Sequence, residues 1–311
     1  KIDKIELSGN IRHLPEVQLR KILKRYQDKI RFHIHNYFPA PAEPFVLNLA
    51  HPDTVLKSVD HCKKSIILCA DLGRKNYSLH AGLAISPRPN DLGKNQTHLK
   101  PLAMDESRKI LTNACLEVAD FAQPKGVRLL LENNVVAQFN CPDGINKCYH
   151  LSDLEESAHL ISLFEHSNIG VLLDTGHLKV SAKTLNFDPI KFIDRFRTFI
   201  KVVQISENEG LSDQNLPVKA NSWFWPHLPW GQLDYVSLEV VKQPLEILFD
   251  QINLTESKIN YPLKLRSVRA PDYIFYQIIF ACGHSVFQIR PNLLNNNKKG
   301  YTNIIGRIKL S

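Results

Sequence analysis

The chain has 311 residues, 43% of them hydrophobic, and a formal net charge of +8. That supplies an ample core for one large α/β domain or two smaller ones. Residues 261–311 set eight Lys/Arg against the single acid Asp272, so residues 1–260 carry only +1 of the charge, which disfavours a nucleic-acid-binding body.

Apolar strand-like runs recur at residues 2–9, 30–36, 76–82, 127–134, 169–177, 200–208 and 235–240. Helix-periodic segments separate most of them. "LPEVQLRKILKRYQDK" places Leu14, Val17, Leu19, Ile22 and Leu23 largely on one face, and "PDTVLKSVDHCKKSIILCADLG" starts with Asp53 as a plausible cap and stops at Gly73. "ESRKILTNACLEVADFAQPKG", "SDLEESAHLISLFEHS", "DPIKFIDRFRTF" and "KQPLEILFDQI" behave similarly. Alternating strands and helices predict a parallel sheet with right-handed crossovers, and seven units approach the eight of a closed barrel. A doubly wound sheet is the rival, but no GxGxxG turn follows the first strand. The expectation is a (β/α)8-type barrel over residues 1–260 that lacks its first β/α unit.

Residues 261–311 read as an irregular basic extension that patches the seam, pairs with another chain or stays poorly ordered. Its apolar run "YIFYQIIFACGHSVF" is interrupted by Gln277, Gly283 and His284, so no stretch of the chain is long and apolar enough to span a bilayer. None of the six cysteines forms a CxxC pair, and no signal peptide is visible. Reduced thiols and a cytoplasmic location are expected, although Cys141 and Cys148 have the spacing to close a small loop.

The residues ending the strand-like runs are His35, His80, Glu132, Asp174 with His177, Gln204 with Glu207, and Glu239. Each has a bland reading: a core histidine, a helix cap, a surface acid. A barrel gathers all these ends into one mouth, where carboxylates without a cation lift one another's pKa values. A divalent metal resolves that conflict.

These stretches, "LLLEN", "LLDTGH", "QISEN" and "SLEV", resemble the metal-bearing strand ends of the xylose isomerase-like barrel superfamily, which includes sugar-phosphate isomerases and epimerases and the endonuclease IV type of repair enzyme. The resemblance spans roughly residues 1–258 and implies Glu132, Asp174, Gln204 and Glu239 as ligands of one metal. It implies His177 as a substrate-facing or second-metal residue. "IHNYFPAPAEPFVLNLAHPD" and "SLHAG" also resemble the repair branch, where His35, His80 and Asp213 would hold further zinc ions.

Two departures bear on chemistry. The family usually has histidine where this chain has Gln204, and the repair branch has one where this chain has Asn215. Amide oxygen is a poor zinc ligand but suits Mn²⁺ or Mg²⁺. The expected activity is therefore a metal-dependent isomerase or epimerase of a sugar or sugar phosphate, working through a metal-held enediolate with Glu132 and Glu239 as the acid/base pair. His80, His177, Glu207 and Trp223 are the expected sugar contacts, with Arg88 and Lys94 as anion contacts on a lid-like loop. The alternatives are a zinc phosphodiesterase acting on DNA and a non-catalytic sugar binder. Partners expected are a small sugar and no membrane, and a homo-oligomer is compatible with the sequence.

Overall fold

The computed structural model describes residues 3–9, 12–165, 167–266 and 274–277. Among these, eight parallel strands close a barrel in chain order: β1 (Lys4–Leu7), β2 (Arg31–His35), β3 (Asn76–His80), β4 (Arg128–Glu132), β5 (Ile169–Asp174), β6 (Ile200–Ile205), β7 (Tyr235–Leu238) and β8 (Ile274–Gln277). The connecting helices are α1 (Glu16–Tyr26), α2 (Val55–Asp71), α3 (Met104–Ala122), α4 (Leu154–Ser162), α5 (Thr175–Thr184), α6 (Pro189–Phe196) and α7 (Leu245–Arg266).

All seven strand-like runs become strands, and the (β/α)8-type barrel expected from the sequence is the observed fold. The seam between β7 and β1 is closed by β8, which pairs parallel with β7 (Val236 beside Ile274) and with β1 (Ile5 beside Tyr276). The extension is thus not wholly irregular: α7 runs through residue 260, and the tail donates a strand.

Period-two alternation along each strand sorts the barrel into two compartments. Outward residues such as Leu129, Leu131, Val171, Leu173, Val203, Val236 and Leu238 pack against the helices in one core. Inward residues Leu130, Leu172, Val202 and Tyr235 form a separate apolar layer inside the barrel. Two positions further on, the same inward stripes present Glu132, Asp174, Gln204 and Ser237. Polar groups therefore occupy the carboxyl ends of strands because the pattern inside each strand places them there.

Three local expectations change. Val17 is 81% exposed, since α1 buries only Leu19 and Leu23. Thr54, not Asp53, occupies the cap position of α2, and its side chain makes no capping bond. The run at 169–177 ends as a strand at Asp174, and a helix that the periodicity missed, α5, starts at the next residue. Gly73 does stop α2, at φ +65°. Cys62, Cys69, Cys115, Cys141 and Cys148 are free thiols, and burial pushes Cys62 up to about 12, which keeps it inert.

Candidate metal centre at the barrel mouth

Strand register brings the predicted ends level: His80 lies beside Glu132, Asp174 beside Gln204, and Gln204 beside Ser237. Glu239 follows β7 directly, its backbone N–H donating to the Ile205 carbonyl. Glu132, Asp174 and Glu239 each offer a carboxylate oxygen within 4.8 Å of the others, and all three are buried. Glu132 Oε2 and Gln204 Oε1 are buried atoms without a close hydrogen-bond donor, and Asp174 shares its position with Glu239. Leaving such oxygens unpartnered is costly, and a hard divalent cation is the species that satisfies several at once. The donor set fits such an ion.

The turn after β5 explains why two small residues separate Asp174 from His177. Asp174 Oδ1 accepts the His177 N–H at 2.6 Å and caps α5, which leaves Oδ2 outside the cap. Asn133, directly after β4, grips the same residue: its Oδ1 accepts the Asp174 N–H at 2.7 Å and its Nδ2 donates to the Asp174 carbonyl at 3.1 Å. A Cβ on Gly176 would clash with Ser206 Oγ and lie 3.2 Å from Asp174 Oδ1. Gly176→Ala is accordingly expected to cost about 1–3 kcal/mol of stability and to weaken divalent-metal binding. Thermal melts with and without Mn²⁺ check both; an unchanged Mn²⁺-induced rise would show that the turn does not set the site.

Histidines crowd the other side of Glu132. His35 Nε2 lies 3.3 Å and His80 Nδ1 3.4 Å from Glu132 Oε2, and His177 Nδ1 lies 3.1 Å from Oε1. His177 Nδ1 is also 2.9 Å from the Asn133 carbonyl, an acceptor only, so that nitrogen carries the hydrogen. His177 Nε2 is thereby left toward Asp213 Oδ2, 3.4 Å away. His80, Glu132 and His177 make a second potential metal group sharing Glu132 with the first.

These neighbours divide the acids. Burial raises the Glu132 pKa, but the fields of His80, His35 and His177 and the His177 hydrogen bond outweigh it and hold the carboxyl down to about 2. Burial lifts Asp174 to about 6 against the pull of His177, and burial with the Asp174, Asp213 and Glu132 charges lifts Glu239 well above its ordinary value. Both raised acids hold protons that a cation must displace. Mn²⁺ affinity is therefore expected to fall as pH drops through about 6, by about tenfold per pH unit for each proton displaced. Calorimetric titration at pH 5 and pH 7.5 checks this; equal affinities would exclude Asp174 and Glu239 as ligands.

The xylose isomerase-like TIM barrel family matches residues 4–242, most of the chain. The chain belongs to that family. No curated protein matches it. Among solved structures, a D-tagatose 3-epimerase-like protein is 17% identical with a TM-score of 0.60, covering 86% of this chain and 91% of that one. A putative xylose isomerase from Rhodospirillum rubrum is 14% identical, with a TM-score of 0.59 over 82% of this chain and 88% of its own. A Thermus thermophilus protein soaked with ZnCl2 is 18% identical, with a TM-score of 0.52 over 81% and 88% of the two chains. At these identities the likeness is one of fold.

Within this family barrel, the structure gathers Glu132, Asp174, Gln204, Glu239, His35, His80, His177 and Asp213 and leaves other expected residues aside. Glu207 is tied to Lys179 Nζ at 2.7 Å, and its backbone pairs with Leu216, so it serves to hold the loop after β6. Trp225 and Trp230 stack at 6.0 Å with both indole N–H groups on backbone carbonyls, which makes them loop anchors. Trp223 is half-buried against Phe224, and its Nε1 has no partner. Arg88 and Lys94 are exposed on the loop after β3, which Asn48 pins through Leu83 and Ile85 and Tyr149 through Gln96. That loop is anchored and has no sign of a free lid. Asn215, at φ +48°, donates to Asp213 Oδ2 at 3.3 Å. Sequence reading missed Glu6, fully buried inside the barrel and pushed up to about 7 by burial against the hydrogen bonds of Gln204, Tyr235 and Ser237. The available signal was an acid alternating with apolar neighbours in "KIEL".

Proposed function

We propose that this protein isomerises or epimerises a sugar or sugar phosphate by proton transfer at a divalent-cation site made of Glu132, Asp174, Gln204 and Glu239. The observation that carries this is three buried carboxylates within 4.8 Å of one another at the strand ends, with Gln204 in register beside Asp174. When bound, the cation supplies Lewis-acid polarisation of the sugar's oxygens. Glu132, ionised among its histidines, removes the proton next to the carbonyl. Glu239 reaches the same substrate from a different strand and, as the second carboxylate of the pair, passes a proton to the new position. His80, whose side chain is 37% exposed, and His177 Nε2 bind sugar hydroxyls. An amide oxygen among carboxylates favours Mn²⁺ or Mg²⁺ over Zn²⁺. The tagatose 3-epimerase-like neighbour supports the substrate class.

A second reading, a zinc phosphodiesterase, is favoured by the gathering of His35, His80 and His177 on Glu132, which suits a second cation. Metal analysis and exchange of carbon-bound hydrogen with deuterated water separate the two. One Mn²⁺ or Mg²⁺ per chain with exchange into ketoses or their phosphates supports the isomerase. Two or more zinc ions without exchange support the phosphodiesterase. Sugar binding without exchange leaves a binding protein.

A further inference from the structure

Gln204 spans the inside of the barrel. Its Nε2 donates to Glu6 Oε1 on β1 at 2.7 Å, although β1 and β6 are not adjacent strands. Glu6 also accepts from Tyr235 Oη at 3.0 Å and from Ser237 Oγ at 3.1 Å. Both oxygens of this buried acid are thus taken by donors, and an amide oxygen turned toward them would be repelled. We propose that Glu6 is a positioning residue that fixes the Gln204 amide with its NH2 toward the barrel interior and its oxygen toward the mouth. This rests on the reading of Gln204 as a ligand.

The consequence is that one face of a two-faced side chain is selected. A glutamine free to flip would have to be oriented by the cation at a cost in affinity; with Glu6 behind it, Oε1 is left as the buried, unpartnered atom. Groups behind a ligand orient it and tune its basicity, and losing one typically costs about 10–100-fold in metal affinity. The same acid would take a ring N–H if histidine stood at position 204, leaving the other nitrogen for the metal.

The test uses the full chain at pH 8. Calorimetry with MnCl2 is expected to show about a 10–100-fold loss of affinity in Glu6→Gln, and no further loss when Glu6→Gln is added to Gln204→Ala. In metal-free protein labelled with 15N-glutamine, the side-chain amide signal that disappears in Gln204→Ala should shift and exchange faster with water in Glu6→Gln. Gln204→His should raise Zn²⁺ affinity with Glu6 present and gain less in Glu6→Gln. An equal Glu6→Gln loss in the Gln204→Ala background, or an unmoved Gln204 amide signal, overturns the proposal. If the parent binds no Mn²⁺, the cation site fails, and the amide signal alone decides the Glu6 contact.

Discussion

Glu132→Gln is expected to slow hydrogen exchange between water and a bound ketose by about 10²–10⁴-fold, the usual cost of losing one positioned base. Glutamine keeps the size and one coordinating oxygen, so Mn²⁺ and sugar binding should fall far less than the rate. The effect is expected to be this large because Glu132 is the acid held ionised, with His177, whose own pKa is raised, hydrogen-bonded to it. Glu239→Gln should match it in size for exchange, since each acid serves one end of the transfer. Exchange followed by NMR in deuterated buffer reads both variants. A variant that retains exchange within tenfold of the parent removes that residue from the proton path.

The second large effect is one of opposite signs. Asp174→Asn should abolish tight Mn²⁺ binding yet stabilise the metal-free protein. The sign follows from linkage: burial raises the Asp174 pKa from 3.8 to about 6, so the folded state holds a proton that the unfolded chain releases. Stability is lost as pH rises through that window, and the loss is complete above it, about 3 kcal/mol at most. Asparagine carries no charge to bury and keeps Oδ1 to cap α5 at the His177 N–H, which commits its only oxygen and turns NH2 to the cation's side. Thermal melts at pH 8 should show a higher midpoint for the metal-free variant and no Mn²⁺-dependent rise. A lower midpoint would mean that capping and the Asn133 contacts outweigh the buried charge.

Much of the site was legible because the strands obey a strict alternation. In β4, β5 and β6 the acid or amide lies two positions beyond an inward apolar residue, so a fixed spacing from Leu130, Leu172 and Val202 sends Glu132, Asp174 and Gln204 to the same mouth. Where alternation stops, inference stopped too. Glu207 lies on a loop, and nothing in its spacing shows that Lys179 claims its carboxylate. The three tryptophans share a loop as well, and only packing separates the stacked Trp225 and Trp230 from Trp223.

Two elements were hidden for other reasons. No turn signal separates β5 from α5, because Asp174 ends one and caps the other, and the strand-like run therefore read on to His177. The strand β8 comes from a stretch without clear period, and its place in the barrel is set by the gap between β7 and β1. Glu6 looked like an ordinary acid in a four-residue strand. Its meaning lies in partners about 200 residues away, which no local pattern reports.

Four side chains from four neighbouring strand ends are proposed to share one divalent cation. Diffraction from crystals soaked in MnCl2, with anomalous data at the manganese edge, tests it directly. One strong peak is expected, coordinated by Glu132, Asp174, Glu239 and the oxygen of Gln204. A mouth with no peak, or a peak held only by His35, His80 and Glu132, would contradict it.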